Sequence, residues 1–252
     1  MGFSPTLSVT ILYAPWVDWR TENATEQYEQ LQADEHIQRV ELIECERAPI
    51  WENSKRCWSA ATDYDSTHHL HTLGDAILCE NFGEAALNAI RKVPNQPLCF
   101  HQRQKRLTKY YEQGHNWVLH GEGTWGIGTT LPKPYIEDFL EFGERYYTED
   151  FGSYDRRLAG WAMYEYGRPV WVTLPSLIQH IGGESVLGND IPHEQRSDIY
   201  VDELGIDARE IDWSFTASEL PEVRGEDRIN KYSQNFRIDR LIEDGYVREV
   251  QP

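Results

Sequence analysis

The sequence has few lysines and no hydrophobic run long enough to cross a membrane. Only six of its 24 basic residues are lysine, whereas 42 residues are acidic, so the formal net charge is −18. No apolar run approaches ~18 residues, and no basic segment precedes the short hydrophobic stretch near the start. These absences argue against a membrane-spanning helix and a secretory signal, and we expect a cytoplasmic protein.

The four cysteines also lack the spacing of a metal site or a disulfide framework. Cys45, Cys57, Cys79 and Cys99 form no CxxC pair, and each stands beside apolar residues. We therefore expect buried free thiols and no zinc site.

The excess of acidic residues restricts the partners of the protein. A charge of −18 argues against a broad non-specific nucleic-acid surface, which needs clustered basic residues, and leaves open a local basic groove around 91–92 and 101–106. An acidic, lysine-poor surface suits a high-salt cytoplasm, where carboxylates stay hydrated and their repulsion is screened. A halophilic source is therefore one hypothesis, and an ordinary acidic mesophilic protein is the alternative.

Strand-like and helix-like segments alternate through the first hundred residues. Strands are predicted at 7–13, 39–43, 67–73 and 97–101. Three helices are predicted between them: one that ends near 33, one at 51–61 and one at 84–92. Thr21 or Asn23 is the predicted cap of the first helix. Repeats of this length predict an α/β protein with a mostly parallel sheet flanked by helices. Its site is expected at the carboxyl ends of the strands.

The remainder is less regular. Strands are predicted at 117–119, 126–131 and 170–173, and helices at 135–146 and 155–166. Beyond 189 the chain is polar and interrupted by prolines, which predicts an extension that wraps on the domain and includes a terminal helix at 234–243.

The stretch THHLHTLGDAILCENF at 67–82 carries the first functional signal. Its strand-like half ends at Gly74-Asp75 before a helix-like half. A carboxylate fixed at a strand end beside a glycine suits metal-assisted phosphate chemistry. Gly-Asp at a strand end is also a common turn sequence with no such function. A metal hydrolase using the neighbouring histidines is a weaker hypothesis, because alternate strand positions face opposite sides. We expect His69 and His71 to be core or polar-stripe residues.

Four motifs together resemble a known family. The segment PSLIQHIGGESVLG at 175–188 resembles the PSLxQHxGxxSxxG segment of GT-A glycosyltransferases, in a form close to the N-acetylglucosaminyltransferase IV family and to glycosyltransferase-like proteins of phages and prophages. Those phage proteins also carry an alanine–proline loop ending in arginine, a W…[KR]RAW helix and a THHLVLQDDALPC-like segment. The counterparts here lie at 14–20, 51–58 and 67–79, in the same order.

The resemblance implies a GT-A-like (Rossmann-like) nucleotide-sugar transferase domain at 1–189, with a C-terminal extension at 190–252. Such enzymes move a sugar from a nucleotide-sugar donor to a hydroxyl acceptor, with a divalent cation, Mn²⁺ or Mg²⁺, on the donor. The acceptor stays open among modified viral DNA, a glycoprotein and a surface glycan, and a viral protein would act in the host cytoplasm. The alternative is a non-catalytic nucleotide-sugar or glycan-binding relative, because Gly74 replaces the first of two paired aspartates.

The resemblance also implies residue roles. Asp75 and His180 are the expected metal ligands. Asp155 matches the second acid of an Asp-Asp-x-Arg element, with Tyr154 in place of the first, and is the expected general base. An acid at a helix start that complements the helix dipole is the structural alternative for Asp155.

The nucleotide is expected across the ends of the first two strands. Ala14 and Pro15 are small enough to let a base or ribose approach. Glu44 would accept hydrogen bonds from the base or ribose, and Arg20 or Arg56 would pair with phosphate.

The acidic composition predicts a salt-dependent stability. Because 42 acidic side chains repel one another at low ionic strength, the thermal midpoint should rise as KCl increases from low to molar concentration. Differential scanning calorimetry in a KCl series measures this. A flat or falling midpoint would contradict the halophilic hypothesis and leave the fold prediction untouched.

Overall fold

The structure is a computed structural model that describes residues 4–103, 105–120, 126–148, 154–167, 169–181 and 196–223. Within these ranges the strands are β1 Leu7–Tyr13, β2 Ile37–Glu44, β3 His68–Leu73, β4 Ala76–Leu78, β5 Leu98–Cys99, β6 Trp117–His120, β7 Thr129–Pro132, β8 Val170–Thr173, β9 Ile178–His180 and β10 Glu222–Val223. The α-helices in the same ranges are α1 Asp18–Ala33, α2 Ile50–Ala60, α3 Phe82–Lys92, α4 Lys105–Glu112, α5 Ile136–Tyr146 and α6 Tyr154–Tyr164.

Eight of these strands form one mixed sheet in the order β10-β6-β8-β5-β7-β3-β1-β2. Four of its seven neighbouring pairs are parallel, namely β1 with β2 and β3, β5 with β8, and β6 with β10. The antiparallel pairs place β7 between β3 and β5, and β6 beside β8. The predicted α/β fold, with helices flanking a mostly parallel sheet, is therefore confirmed.

Two hydrophobic cores cover the two faces of this sheet. Leu7, Val9 and Ile11 of β1 point into the core that contains α1 and α3. The second core contains α2, α5 and α6 and is rich in aromatic rings, including Trp58 and Trp161. Alternation along β1 therefore sends Leu7, Val9 and Ile11 to one face and Ser8, Thr10 and Leu12 to the other.

The segment after Gly74-Asp75 differs from the prediction, because it continues as a strand and not as a helix. The short strand β4 pairs antiparallel with β9, with Ala76 opposite His180. Helix α3 starts only at Phe82. This two-stranded sheet joins two segments that lie a hundred residues apart in sequence.

The described residues beyond 195 pack against the main domain. Ser176 and Tyr200 form an isolated parallel bridge, and β10 adds an edge strand beside β6. The rest of the PSLIQH motif at 182–188 and the predicted helix at 234–243 lie outside the described residues. Within the part of the chain that the structure describes, no helix combines the length and apolar character needed to cross a membrane.

The histidines of β3 are core residues. His69 is fully buried, and its two ring nitrogens lie 2.9 Å from the hydroxyl oxygens of Ser8 and Thr10 on β1. His71 is also fully buried, and its ring packs against Trp58 and Tyr154. Burial lowers the pKa of both histidines to about 3, and the neighbouring His71 lowers that of His69 further. Both rings are therefore neutral in the folded protein above that pH.

These buried histidines predict acid sensitivity. In the unfolded chain a histidine titrates near pH 6.5, so between pH 6.5 and 3 only the unfolded state takes up the protons. The free energy of unfolding should fall with decreasing pH across this window, by about 1.4 kcal/mol per pH unit for each histidine. Urea unfolding of wild type and His71→Gln measures this slope, which should be smaller in the variant. His115→Gln, at a half-buried position, is the control, and an equal slope in wild type and His71→Gln would contradict the assignment.

Candidate functional site at the carboxyl edge of the sheet

The first three parallel strands end together at one edge of the sheet. The backbone N–H groups of Cys45 and Gly74 donate to the carbonyls of Tyr13 and Leu12, at 2.7 and 2.8 Å. These bonds extend the ladders one residue beyond β2 and β3. The loop after β1, Glu44 and Asp75 consequently share this edge.

Helix α1 holds the end of β3 through a stripe of amide side chains. Asn23 Nδ2 donates to the carbonyls of Gly74 and Ala76 at 2.9 and 2.7 Å. Gln27 donates to the carbonyl of Leu73, and Gln30 to that of Cys79, both at 3.1 Å. These residues recur three to four positions apart and so lie on one face of the helix. The stripe satisfies carbonyls that the sheet leaves unpaired, which explains why so polar a helix packs here.

The same helix brings Arg20 to Asp75. Arg20 Nη2 lies 2.7 Å from Asp75 Oδ2, and both side chains are largely buried. His180 Nε2 lies 3.6 Å from the same carboxylate oxygen. The structure therefore brings three of the predicted site residues, Arg20, Asp75 and His180, into one cluster.

His180 is fixed by the pairing of β9 with β4. Its backbone N–H donates to Gln179 Oε1, and its carbonyl accepts from Arg196 Nη1 at 3.2 Å. Burial lowers the pKa of His180 below its ordinary value; Asp75 opposes this shift, and Arg20, Arg103 and Arg196 reinforce it. The imidazole is thus held in its neutral form, which is the form that binds metal ions.

The other predicted nucleotide-binding residues form a second group along the edge. Glu44 Oε1 accepts from the Tyr13 hydroxyl at 2.9 Å, and Arg56 donates to the Glu44 carbonyl at 3.1 Å and pairs with Glu46 at 2.9 Å. Ala14 is buried and Pro15 is exposed.

The Cys45 thiol, next to Glu44, is affected by charged residues of both groups. Burial raises the pKa of the Cys45 thiol to about 11, and Arg20, Arg56 and Asp75 all act on it. The two groups are therefore neighbours along one continuous edge.

Asp155 lies on a helix, away from the Asp75 cluster. It occupies the first turn of α6, where its Oδ1 accepts from the Arg156 N–H at 2.9 Å. The adjacent Tyr154 packs on His71 in the middle of β3. Since a strand advances about 3.3 Å per residue, His71 and Asp75 are roughly 13 Å apart. The start of α6, which carries Asp155, is thus anchored by Tyr154 to the middle of β3, whereas the Asp75 cluster lies at the end of that strand.

The first position of the expected acidic pair has no space for a side chain. A Cβ added to Gly74 would lie 2.8 Å from Tyr13 Cβ and 3.1 Å from the Arg20 carbonyl. Such distances require a shift of the backbone of β1 or α1. An aspartate at position 74 therefore does not fit this packing.

A divalent ion nevertheless fits between Asp75 and His180 by distance. Two ligand atoms each about 2.1 Å from one ion can lie up to about 4.2 Å apart, and the two atoms here are 3.6 Å apart. Asp75 Oδ1 is buried and has no hydrogen-bond partner among the described residues. Those residues contain no group of three His, Cys, Asp or Glu that could hold an ion. Phosphate and water oxygens are suitable further ligands for such an ion.

Several residues of this edge were missed by the sequence analysis. Asn23 was expected as a helix cap, yet the helix begins at Asp18 after Val17, and Asn23 binds the end of β3. Arg196 donates a hydrogen bond to the His180 carbonyl and Arg103 acts on His180 through its charge, and neither belongs to one of the four motifs. The polar spacing of α1 was the one local signal that could have located the amide stripe.

Comparisons with known proteins were made by sequence and by structure. No protein family and no curated protein sequence matches the chain. Among solved structures, a mannosyltransferase from Pyrobaculum calidifontis, solved in complex with GDP-mannose and Mn²⁺, is similar with 12% identity and a TM-score of 0.44 over 69% of this chain. The apo form of the glycosyltransferase GlyE from Streptococcus pneumoniae is similar with 10% identity and a TM-score of 0.36 over 97%. The chain spans 55% and 64% of those proteins, respectively.

The amide stripe predicts a measurable cost for Asn23→Ala. Loss of two hydrogen bonds that satisfy the carbonyls of Gly74 and Ala76 should lower the free energy of unfolding by about 1–3 kcal/mol. Urea unfolding measures this loss. Thr25→Ala on the same helix, where an exposed hydroxyl bonds only to the Thr21 carbonyl, is the matched control. Equal stability of the two variants would show that the stripe does not hold the strand.

Proposed function

We propose that this protein is a glycosyltransferase of the GT-A type, which transfers a sugar from a nucleotide-sugar donor to a hydroxyl acceptor. The observation that carries the proposal is the cluster of Arg20, Asp75 and His180 at the carboxyl edge of β1 and β3. That edge is where α/β sheets bind nucleotides. The cluster combines a guanidinium for phosphate, a buried carboxylate and a neutral imidazole.

The donor nucleotide lies along this edge in the proposal. Tyr13, Glu44 and Arg56 form the part nearest the base and ribose, because they offer a hydroxyl, a carboxylate and a guanidinium on the ends of β1 and β2. Ala14 and Pro15 keep the loop beside them small. Arg20 binds the diphosphate, for which a planar guanidinium offers paired donors.

Asp75 and His180 are the proposed protein ligands of a divalent ion, Mn²⁺ or Mg²⁺, that enters together with the donor. When bound, such an ion would neutralise charge that develops on the leaving diphosphate. The two residues supply one carboxylate oxygen and one neutral ring nitrogen, and the donor phosphates supply further oxygens. Because the described residues bring only these two ligands together, binding of the ion alone should be weak.

A thermal-shift screen tests the donor class. Nucleotide sugars are added with and without Mn²⁺ at low and high KCl, and a ligand that binds only the folded state raises the midpoint through RT ln(1 + [L]/Kd). Stabilisation by one nucleotide series supports the proposal. No stabilisation by any nucleotide or nucleotide sugar would refute it.

Asp155 is the proposed general base, which takes the proton of the acceptor hydroxyl in the transition state. Asp155→Asn keeps the shape but loses the basicity, so turnover should fall by roughly 10²–10⁴-fold with donor affinity nearly unchanged. Transfer assays and calorimetric donor binding measure the two effects separately.

A helix-dipole role for Asp155 makes a different prediction. If Asp155 has only that role, Asp155→Asn should lower the stability by about 0.3–1 kcal/mol and should not lower the turnover specifically. Glu137→Gln, an exposed acid in the first turn of α5, is the matched control for that role. Full turnover in Asp155→Asn would identify another residue as the base.

One observation favours a second function, a non-catalytic nucleotide-sugar or glycan-binding protein. Position 74 excludes the paired acid of the resembling enzymes, which leaves Asp75 as the single carboxylate of the cluster. A binding protein would retain the nucleotide sugar without consuming it, and neither Asp75→Asn nor Asp155→Asn would change the product yield from its background value. Chromatographic analysis of the nucleotide released from the donor separates the two functions.

A further inference from the structure

Arg20 and His180 both approach one oxygen of Asp75. Arg20 Nη2 lies 2.7 Å from Asp75 Oδ2, and His180 Nε2 lies 3.6 Å from the same atom. An ion held by Asp75 and His180 together must approach this Oδ2 atom or displace the carboxylate. The guanidinium in direct contact with Oδ2 fills the space that such an ion would take, and it already compensates the negative charge that would attract the ion.

The surroundings of the cluster strengthen this competition. Asp75 is 4% exposed, so water screens little of the repulsion between Arg20 and an incoming dication. Arg103 and Arg196 also act on His180, although Arg196 is paired with Glu203. The guanidinium of Arg20, in direct contact with this buried carboxylate, therefore opposes the approach of a bare dication.

Only the side chain of Arg20 needs to move for an exchange. Its backbone belongs to the first turns of α1, which the amide stripe fixes to β3 through Asn23 and Gln27. The guanidinium also lies 5.0 Å from the ring centroid of Trp19, a cation–π contact that does not involve Asp75. Arg20 can thus leave the carboxylate without disturbing the helix.

We propose that Arg20 is an internal cation that occupies Asp75 until a nucleoside diphosphate draws it away, so that a divalent ion binds at Asp75 only together with the nucleotide. The nucleotide arm of this proposal rests on the proposed function. The exchange between Arg20 and the ion at Asp75 does not, because it can be measured with the ion alone. By reciprocity, the ion and the diphosphate raise each other's affinity by the same factor.

The test measures Mn²⁺ binding to the full chain by electron paramagnetic resonance, in molar KCl and without nucleotide. Arg20→Gln removes the competing charge and leaves Asp75 unpaired, so it should bind Mn²⁺ at least about tenfold more tightly than wild type. Arg145→Gln is the matched control, because it also removes an arginine from an acidic partner, Glu141, and changes the net charge equally. It should bind Mn²⁺ as wild type does. Arg20→Lys, which keeps the positive charge, should also stay close to wild type.

The second arm adds GDP or UDP as the diphosphate probe. In wild type the nucleotide should raise Mn²⁺ affinity by about tenfold or more, and in Arg20→Gln this increase should shrink because the carboxylate is already open. In the wild-type protein, Mn²⁺ should broaden the NMR signals of the His180 ring when the nucleotide is present and should leave them sharp when it is absent. This measurement needs no variant and keeps the test valid if Arg20→Gln fails to fold.

The outcomes separate the exchange from the proposed function. Unchanged Mn²⁺ affinity in a folded Arg20→Gln, or broadening of His180 in wild type without nucleotide, would overturn the exchange while leaving the transferase proposal intact. Failure of GDP, UDP and all nucleotide sugars to bind wild type would refute the proposed function. The comparison of Mn²⁺ affinities without nucleotide would still decide whether Arg20 blocks Asp75.

Discussion

The hydrogen bonds from α1 to the end of β3 are the constraint on which the candidate site depends. A strand that ends at a sheet edge leaves carbonyls that need donors, and Asn23, Gln27 and Gln30 supply them. This fixes the rotation of α1 about its own axis. Arg20 lies one turn earlier on the same face, so the bonds that satisfy the backbone also aim its side chain at Asp75.

The cluster contains arginines in a chain of large net negative charge. The protein carries −18, yet Arg20, Arg103 and Arg196 all act on His180. An anionic ligand is repelled by the net charge of the chain, and Arg20 offers it a guanidinium at this edge. Salt would reduce the repulsion over the exposed surface more than the attraction within the buried cluster, because buried pairs are screened less. A salty environment and an anionic donor are thus compatible in the same molecule.

Much of the fold was predictable from local sequence, but the geometry of the site was not. The run LSVTILY at Leu7–Tyr13 forms β1 as predicted, because β-branched residues favour a buried strand. The pairing of β4 with β9 depends on residues a hundred positions apart, and no local pattern reports it. For the same reason the sequence identified Asp75 and His180 separately by resemblance, whereas their 3.6 Å separation and the pairing with Arg20 required the structure.

The closed space at Gly74 limits which sequences this architecture accepts. Any residue with a Cβ meets the Cβ of Tyr13 and the backbone of Arg20, and trimming the Tyr13 side chain to alanine would leave that Cβ in place. A second acid at position 74 therefore requires compensating changes in β1 or α1 and cannot arise by one tolerated substitution. Among homologues that share this packing, replacement of the glycine at this position should be accompanied by changes at the start of α1. The two segments should therefore evolve together.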